Sequence, residues 1–391
     1  MNIVFFAHPD FLGSQSMPRF AQMLATGMKE RGHSTSILMP APHFYKLPIP
    51  KGKKKWMGYI DQYILFPQKV RKLLKNYSPE TLFVFTDQAL GPWVPLVADR
   101  PHVIHCHDFL AQLSAIGEIA ENPTSWTGRQ YQGYIRNGYS KGKNFISVSE
   151  KTRKDLHRFL PTQPKISEVV YNGLNQAITV SDPQLARNKL SKAFGLDLIN
   201  GYLLHVGGNQ WYKNRTGIVE LYDSWRLKGG HNLPLLLIGE APHDALLQKR
   251  LLSPFKDDIH FLSGIEDKTV RLAYTGATVF LFPSLAEGFG WPIAEAMGSG
   301  CPVLTTNEPP MTEVAGKAGF FVPRRPKETA DAVQWANESA NVLNKVINLS
   351  TTDRLATIEA SVANAKRFDT HLALDKIEAI YYKVIDNIKQ T

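Results

Sequence analysis

The stretch VFLFPSLAEGFGWPIAEAMGSGCPVLTT, Val279 to Thr306, decides the architecture of this chain. Two short apolar runs, Val279 to Pro283 and Pro302 to Thr305, flank a glycine-rich turn and a helical segment. Strand, loop, helix and strand in that order make a parallel unit, since parallel neighbours need a crossover connection. Inside the loop, Glu287 and Glu295 bracket Gly288-Phe289-Gly290. Pro292 follows at an expected first helical position, where its missing N–H costs nothing. Free backbone amides at a turn entering a helix suit a phosphate, and glycines let the backbone approach a ligand closely. A carboxylate on each side can accept hydrogen bonds from sugar hydroxyls. A loop able to hold phosphate and sugar together points to a nucleotide-sugar. The plainer reading is a turn and an amphipathic helix, Ile293 to Met297, with two solvated glutamates.

Outward from this stretch the same alternation recurs. Asn2 to Ala7 reads as a first strand, Met17 to Arg31 as a helix stopped at Gly32-His33, and Ser34 to Met39 as the next strand. Leu82 to Thr86, Val103 to His107 and Asn144 to Ser149 continue the series, with Ser149 placed to cap a helix beginning near Glu150. The pattern then restarts with Tyr202 to Val206, Leu235 to Ile238 and Ile259 to Leu262. Two doubly wound α/β halves are implied, with ligands at the carboxyl ends of the strands. Turn residues at Asn172-Gly173 and Ser181-Asp182-Pro183 place the boundary within 173–195. Arg367 to Lys389 reads as one amphipathic helix, with Leu372, Ile377, Ile380 and Tyr381 as its buried positions.

A length of 391 residues accommodates two domains, and a hydrophobic content of 43% supports well-formed cores. No apolar run reaches the ~20 residues that span a bilayer. Met1 to Phe6 meets Ala7-His8-Pro9-Asp10 at once, so it reads as a strand and not as a signal peptide. Cys106 and Cys301 lie in apparent strands, as buried thiols would, and a cytoplasmic protein is expected. Residues 1–175 hold 22 Lys/Arg against 12 Asp/Glu, which accounts for the whole net charge of +10. The excess concentrates in Lys51, Lys53, Lys54, Lys55, Lys69, Arg71, Lys72 and Lys75, interleaved with Phe44, Tyr45, Trp56, Tyr59, Tyr63 and Phe66. Basic residues among aromatics suit an anionic membrane surface or an acidic acceptor, as well as a merely solvated face. No nucleic-acid-binding signature accompanies them.

The run Val279 to Thr306 resembles the donor-binding segment of retaining glycosyltransferases of the GT-B fold, family 4 in particular. Their E-x7-E signature corresponds to Glu287 and Glu295, inside PS-x-x-EGFG-x-P-x-x-EAM-x-x-G-x-PV. Further likenesses lie at Lys29-Glu-Arg-Gly-His33, Val103-Ile-His-Cys-His-Asp108, Ser147-Val-Ser-Glu150, Asn172-Gly173, Leu204-His-Val-Gly-Gly208, Tyr212-Lys-Asn214 and Met311-Thr-Glu-Val-Ala-Gly316. The resemblance runs over residues 1–385 and is weakest over 40–80. It implies three parts: an N-terminal Rossmann-like acceptor domain, 1–175; a C-terminal Rossmann-like nucleotide-sugar domain, 176–366; and a helix, 367–391, crossing back to the first domain.

The resemblance also implies roles. Lys213 steadies the leaving diphosphate, Glu287 faces the donor sugar hydroxyls, and Glu295 reaches the ribose. The amides of Gly288, Phe289 and Gly290 bind sugar or phosphate oxygens. Gly13, in the loop after the first strand, approaches the donor phosphate and the acceptor. His107 contacts sugar or acceptor near the reacting carbon; Asp108 is a cap or a polar contact, and His105 belongs to the core. The family usually carries an arginine where this chain has Gly208, so Arg215, Asn209 or a backbone amide must be asked to compensate. The implied reaction is metal-independent, cofactor-free, retaining transfer of a hexose from a nucleoside-diphosphate sugar of UDP or GDP type. The acceptor hydroxyl belongs to a glycan, a lipid-linked sugar or a small molecule, and its proton passes to the leaving phosphate. Peripheral membrane contact through the basic N-terminal domain is expected, and no nucleic acid. Two alternatives stay open: a non-catalytic nucleotide-sugar-binding protein, and an epimerase or phosphorylase on the same architecture.

Overall fold

The computed structural model describes residues 1–13, 16–174 and 180–389; the boundary expected at 175/176 lies outside them. The chain divides into two compact units, Met1–Gly173 with Thr370–Thr391, and Leu174–Asp369.

In the first unit, β1 (Asn2–Phe6), β2 (Ser34–Leu38), β3 (Leu82–Phe85), β4 (His102–Cys106), β5 (Asn144–Ser147) and β6 (Ile166–Val169) form one sheet. Their order is β2-β1-β3-β4-β5-β6, and every pairing is parallel. Both faces of such a sheet are covered, which is why β3 reads Leu-Phe-Val-Phe with all four residues buried. Side chains alternate across the pleat. Ile3, Phe5, Val84 and Val103 therefore join one core, while Val4, Phe6, Phe83 and Phe85 join the other with Phe66 and Trp93.

The first of these cores is closed by the terminal helix Thr370–Lys389 through Leu374, Ile377, Tyr381 and Val384. Tyr381 Oη lies 2.9 Å from His105 Nε2 in the interior, and His33 Nε2 lies 2.6 Å from Glu378 Oε1 at the rim. Burial pushes the His105 imidazole down to about 3, so it is a neutral core group. Two details of the expected tail are corrected. The segment Lys366–Phe368 is a separate 3-10 turn, and Leu372 is 54% exposed. Ala373 and Leu374 take the inward positions at that turn, while Ile377, Ile380 and Tyr381 are buried as expected.

The second unit repeats the plan with β7 (Leu203–Val206), β8 (Leu235–Gly239), β9 (Ile259–Ser263), β10 (Val279–Phe282), β11 (Val303–Thr306) and β12 (Phe320–Val322). Here the order is β12-β11-β10-β7-β8-β9, again parallel throughout. The fold is thus the expected pair of doubly wound sheets. β6 and β12 went unread because β6 is interrupted by Ser167-Glu168 and β12 is only three residues long.

Strand order sets where ligands go. In the first sheet the winding reverses between β1 and β3, and in the second between β7 and β10. The loops leaving those paired strands part toward opposite faces, opening a crevice at their carboxyl ends.

Backbone contact between the helix Trp126–Tyr139 and the 3-10 segment Gln88–Leu96 depends on two glycines, since a Cβ on Gly138 would overlap the Gly91 carbonyl. Gly138→Ala should lower the thermal midpoint, with a loss of about 1–3 kcal/mol in denaturant unfolding. Gly133→Ala, on the same helix with nothing within 4 Å of the added carbon, should show no loss.

Candidate active site

The reversal between β7 and β10 brings two loops together. After β7 the chain turns through Gly207-Gly208, makes a 3-10 turn at Trp211–Lys213, and enters the helix Arg215–Leu227 through Asn214. Asn214 holds a left-handed conformation, φ 52°, and its Nδ2 donates to the Pro283 carbonyl at 2.8 Å. Leu285 N donates to the Tyr212 carbonyl at 2.8 Å. Both bonds lock the β7 loop against the β10 loop.

This stitching places Lys213 Nζ 2.8 Å from Glu287 Oε1, the lysine 14% and the glutamate 8% exposed. The ammonium also lies over the rings of Phe282 at 5.0 Å and Tyr212 at 5.2 Å. With water partly excluded, this charge pair acts in a lower dielectric than a surface pair would. An entering anion would find a cation already held in position by a carboxylate. The glutamate can likewise accept from a neutral hydroxyl.

Gly288-Phe289-Gly290 connects Glu287 to the helix Trp291–Gly298, and Gly290 has φ 105°, which a Cβ would disfavour. Phe289 is buried, with its ring edge-on to those of Trp291 and Phe368. Pro292 occupies the second helical position, one later than expected. The plainer reading of an amphipathic helix is corrected. Ile293, Ala294, Ala296 and Met297 are all buried, and Glu295 sits among them with Tyr274 Oη donating to Oε2 at 3.0 Å. Burial raises the Glu295 carboxyl above its usual pKa and Asp267 adds to this, while the Tyr274 hydroxyl and Arg271 oppose it.

A Cβ added at Gly208 would lie 2.6 Å from Gln210 Oε1 and 3.0 Å from Glu240 Oε1, the ends of two exposed side chains that would have to move aside. Glu240 in turn accepts from Asn209 N at 3.0 Å. Arg215 is buried beneath, with Nη1 on Asn209 Oδ1 at 2.6 Å and on the Glu240 carbonyl at 2.9 Å. It supports the loop, and its Nε and Nη2 are sealed from solvent without a partner among the described residues. Beside Gly208 opens a cleft of about 560 Å³, lined by Val206, Gln210, Glu240, Ser263, Ile265 and Val270. Of this lining, only Gly208 was singled out from the sequence. The available signal was the position of Glu240 and Ser263 at the ends of β8 and β9.

Gly13 and His107 belong to the first unit. Gly13 ends the 3-10 turn Asp10–Leu12 with φ 76° and open space around it; the following Ser14 lies outside the described residues. His107 is buried just beyond β4, with Nε2 on the Thr86 carbonyl at 2.9 Å and its ring edge-on to Phe20 at 4.5 Å. Burial lowers its pKa, against the pull of nearby Asp87. Asp108 caps a turn, accepting from Leu110 N at 3.0 Å. The structure therefore joins Lys213, Glu287 and Gly208 within one unit and seats Glu295 on the helix that follows.

Residues 17–177 match the family described as Glycosyltransferase Family 4, and residues 200–338 the family Glycosyl transferases group 1. O-antigen chain mannosyltransferase B of Escherichia coli is 34% identical over 122 residues, 31% of this chain and 32% of that protein. O-antigen chain mannosyltransferase RfbU of Salmonella typhimurium is 22% identical over 222 residues, 56% of this chain and 57% of the relative. These matches thus span less than two thirds of the relatives' own lengths. Anabaena HepE, solved in complex with UDP and glucose, superimposes with TM-score 0.71 at 18% identity, covering 98% of this chain and all of that one. WaaG, a glycosyltransferase involved in lipopolysaccharide biosynthesis, gives 0.68 at 16%, covering 97% of this chain and 99% of its own. At these identities the structural likeness is one of fold. The chain belongs to the group 1, family 4 glycosyltransferases and has the GT-B fold.

The raised Glu295 carboxyl makes a stability prediction. A group that keeps its proton to higher pH when folded weakens the fold as pH climbs from the unfolded value near 4.5 through the folded one. Glu295→Gln keeps an acceptor for Tyr274 without the charge. Its ligand-free melting temperature should exceed wild type at alkaline pH, and the gap should close in acid.

Proposed function

We propose that this family 4 chain is a retaining, metal-independent hexosyltransferase using a UDP- or GDP-type sugar donor. The observation that carries the proposal is the Lys213–Glu287 pair at the β7/β10 reversal, beside a glycine turn that opens a helix. Lys213 would carry the charge of the departing diphosphate, with the amides at Gly288, Phe289 and Gly290 assisting. Glu287 would accept from the sugar hydroxyls and Glu295 from the ribose. Positioning of two substrates supplies much of the remaining rate. On this reading the unit Leu174–Asp369 holds the donor, and the first unit takes the acceptor through Gly13 and His107. Lipopolysaccharide and O-antigen enzymes among the relatives support a glycan or lipid-linked acceptor.

The basic, aromatic segment of the first unit supports contact with an anionic surface. Buried Asp61 accepts from Phe44 N and Tyr45 N, each at 2.9 Å, and so shapes the loop before the helix Lys51–Ile60. Lys54 lies over Tyr45 and Lys55 over Tyr59, while Trp56 is 60% and Ile64 52% exposed. The Lys51 side chain lies outside the described residues. No helix among those described is long and apolar enough to cross a membrane, so the proposed contact is peripheral.

A thermal-shift series with UDP, GDP, ADP and their sugars tests the donor. One nucleotide family should stabilise the protein, by about 2.7 kcal/mol at 100 times Kd. Lys213→Ala should cut turnover by about 10²-fold or more, on the scale of losing one preorganised charge stabiliser. Stabilisation without any nucleotide release would instead favour the non-catalytic binder. Vesicle flotation tests the surface: Lys53, Lys54 and Lys55 changed together to Gln should abolish binding to anionic vesicles, and undiminished binding would refute the contact.

A further inference from the structure

The second unit carries a cavity at the end of its sheet away from Lys213 and Glu287. Asn200 lies three residues before β7, Asn232 three before β8, and Thr278 immediately before β10. With Arg187 and Arg354 they line a hollow of about 520 Å³ at the amino ends of these strands, wholly within the unit Leu174–Asp369. Lys213 and Glu287 follow the carboxyl ends of β7 and β10, at the opposite end of the same sheet.

Each arginine closes a helix. Arg187 Nε donates to the Gly276 carbonyl at 2.8 Å, at the end of Asp267–Gly276. Arg354 Nη2 donates to the Val346 carbonyl at 3.0 Å, near the end of Thr329–Ile347, and its Nη1 to the Thr278 carbonyl at 3.2 Å. A helix end offers only about half a unit of negative charge, so these carbonyls do not neutralise a guanidinium. Among the described residues no carboxylate lies within ion-pair distance of either arginine. The groups whose charge would favour theirs are the Tyr202 phenol, beside Arg187, and the Cys301 thiol, beside both. Burial pushes the phenol up, and the thiol up to about 12, so both stay neutral. Two half-buried positive charges without a counter-ion cost free energy that a bound anion would offset.

Donors are also left over. Nη1 and Nη2 of Arg187 have no partner among the described residues and are not among the unpartnered atoms sealed from solvent. Thr278 is 9% exposed, and its hydroxyl oxygen has no partner. A Cβ at Gly201 would overlap that oxygen and lie 3.2 Å from Arg187 Nη2, so hydroxyl and guanidinium lie on one side of Gly201. Asn232 Oδ1 is taken by Arg226 Nη2 at 2.9 Å, which leaves its amide nitrogen to donate.

We propose that this cavity is a second ligand site, which binds a phosphate group, free or carried on a small molecule, independently of the sugar donor. A phosphomonoester has a charge of about −1.5 to −2 at pH 7 and three acceptor oxygens. It therefore answers two guanidiniums set on different helices, Pro183–Phe194 and Thr351–Ala365. A planar carboxylate matches one such fork. The volume falls within the range of small-molecule sites, about 300–1,000 Å³, and Asn200 and Asn232 can hold hydroxyls of whatever carries the phosphate.

The test is calorimetric titration of the full chain with inorganic phosphate and glucose 6-phosphate, with glucose and citrate as controls. Both phosphate probes should bind, glucose should not, and citrate should bind more weakly. Tighter binding of glucose 6-phosphate supports a phosphorylated small molecule as the ligand, and equal binding supports free phosphate. Arg187→Gln and Arg354→Gln should each weaken binding about tenfold or more, while Lys213→Ala in the donor loops should leave it within about twofold of wild type. Because Arg354 also holds helix ends, a second reading uses the wild-type chain alone. The Nε–H signal of Arg187, anchored on Gly276 and assigned by its loss in Arg187→Lys, should shift as phosphate is added. Binding lost in Lys213→Ala but kept in Arg187→Gln would put the phosphate in the donor loops and overturn the proposal. Citrate bound as tightly as glucose 6-phosphate, or an Arg187 signal that phosphate leaves unmoved, would overturn it too. None of these readings requires turnover, so the outcome is separate from that of the proposed transfer.

Discussion

The contact between Lys213 and Glu287 joins residues 74 positions apart, and it exists because β7 and β10 are neighbours. Each loop leaves its strand at the same edge, and the two are then bolted together by Asn214 to Pro283 and Leu285 to Tyr212. Neither charge would be tolerated so far from water without the other. Their pairing therefore fixes the floor of the second crevice, from which the glycine turn and the helix bearing Glu295 follow in order. The Gly208 loop belongs to the same construction. The ends of the Gln210 and Glu240 side chains lie beside it, and buried Arg215 braces the Glu240 backbone.

The first unit solves the same geometric problem with different chemistry. Its β1/β3 reversal carries imidazole and carboxylate, with His8 Nε2 on Asp87 Oδ2 and Asp87 Oδ1 accepting from Ala89 N. A basic, aromatic surface extends from Tyr131 through Tyr59 to Trp56. The terminal helix seals one face of this sheet, where Tyr381 gives the interior imidazole of His105 its hydrogen bond.

Much of this was legible in the chain. Apolar runs of four to five residues between helical patterns identify parallel strands, because strands covered on both faces must be apolar throughout. The glutamates eight positions apart, the glycine turn between them and the lysine after β7 were visible as types at spacings. The misses have physical causes. Edge strand β6 carries Ser167 and Glu168, and β12 is only three residues long, so neither shows an apolar run of ordinary length. Leu372 looked buried because helical periodicity fixes a stripe only to within a residue or two, and the packing against β1 and β3 chose Leu374. Glu240 and Asp87 are single acids at strand ends, which no local pattern distinguishes from solvated ones.

The sequence by itself determined two parallel α/β sheets, the donor-type loop and its residue types, since these depend on local periodicity, turn chemistry and short spacings. Tertiary structure alone decided which charges meet. It paired Lys213 with Glu287, withdrew Arg215 into the loop's support, set half-buried Glu295 against Tyr274, and set His8 on Asp87. Such contacts depend on which strands lie side by side and on how much water reaches them. Strand order and burial are properties of the whole folded sheet, and no segment of the chain carries them alone.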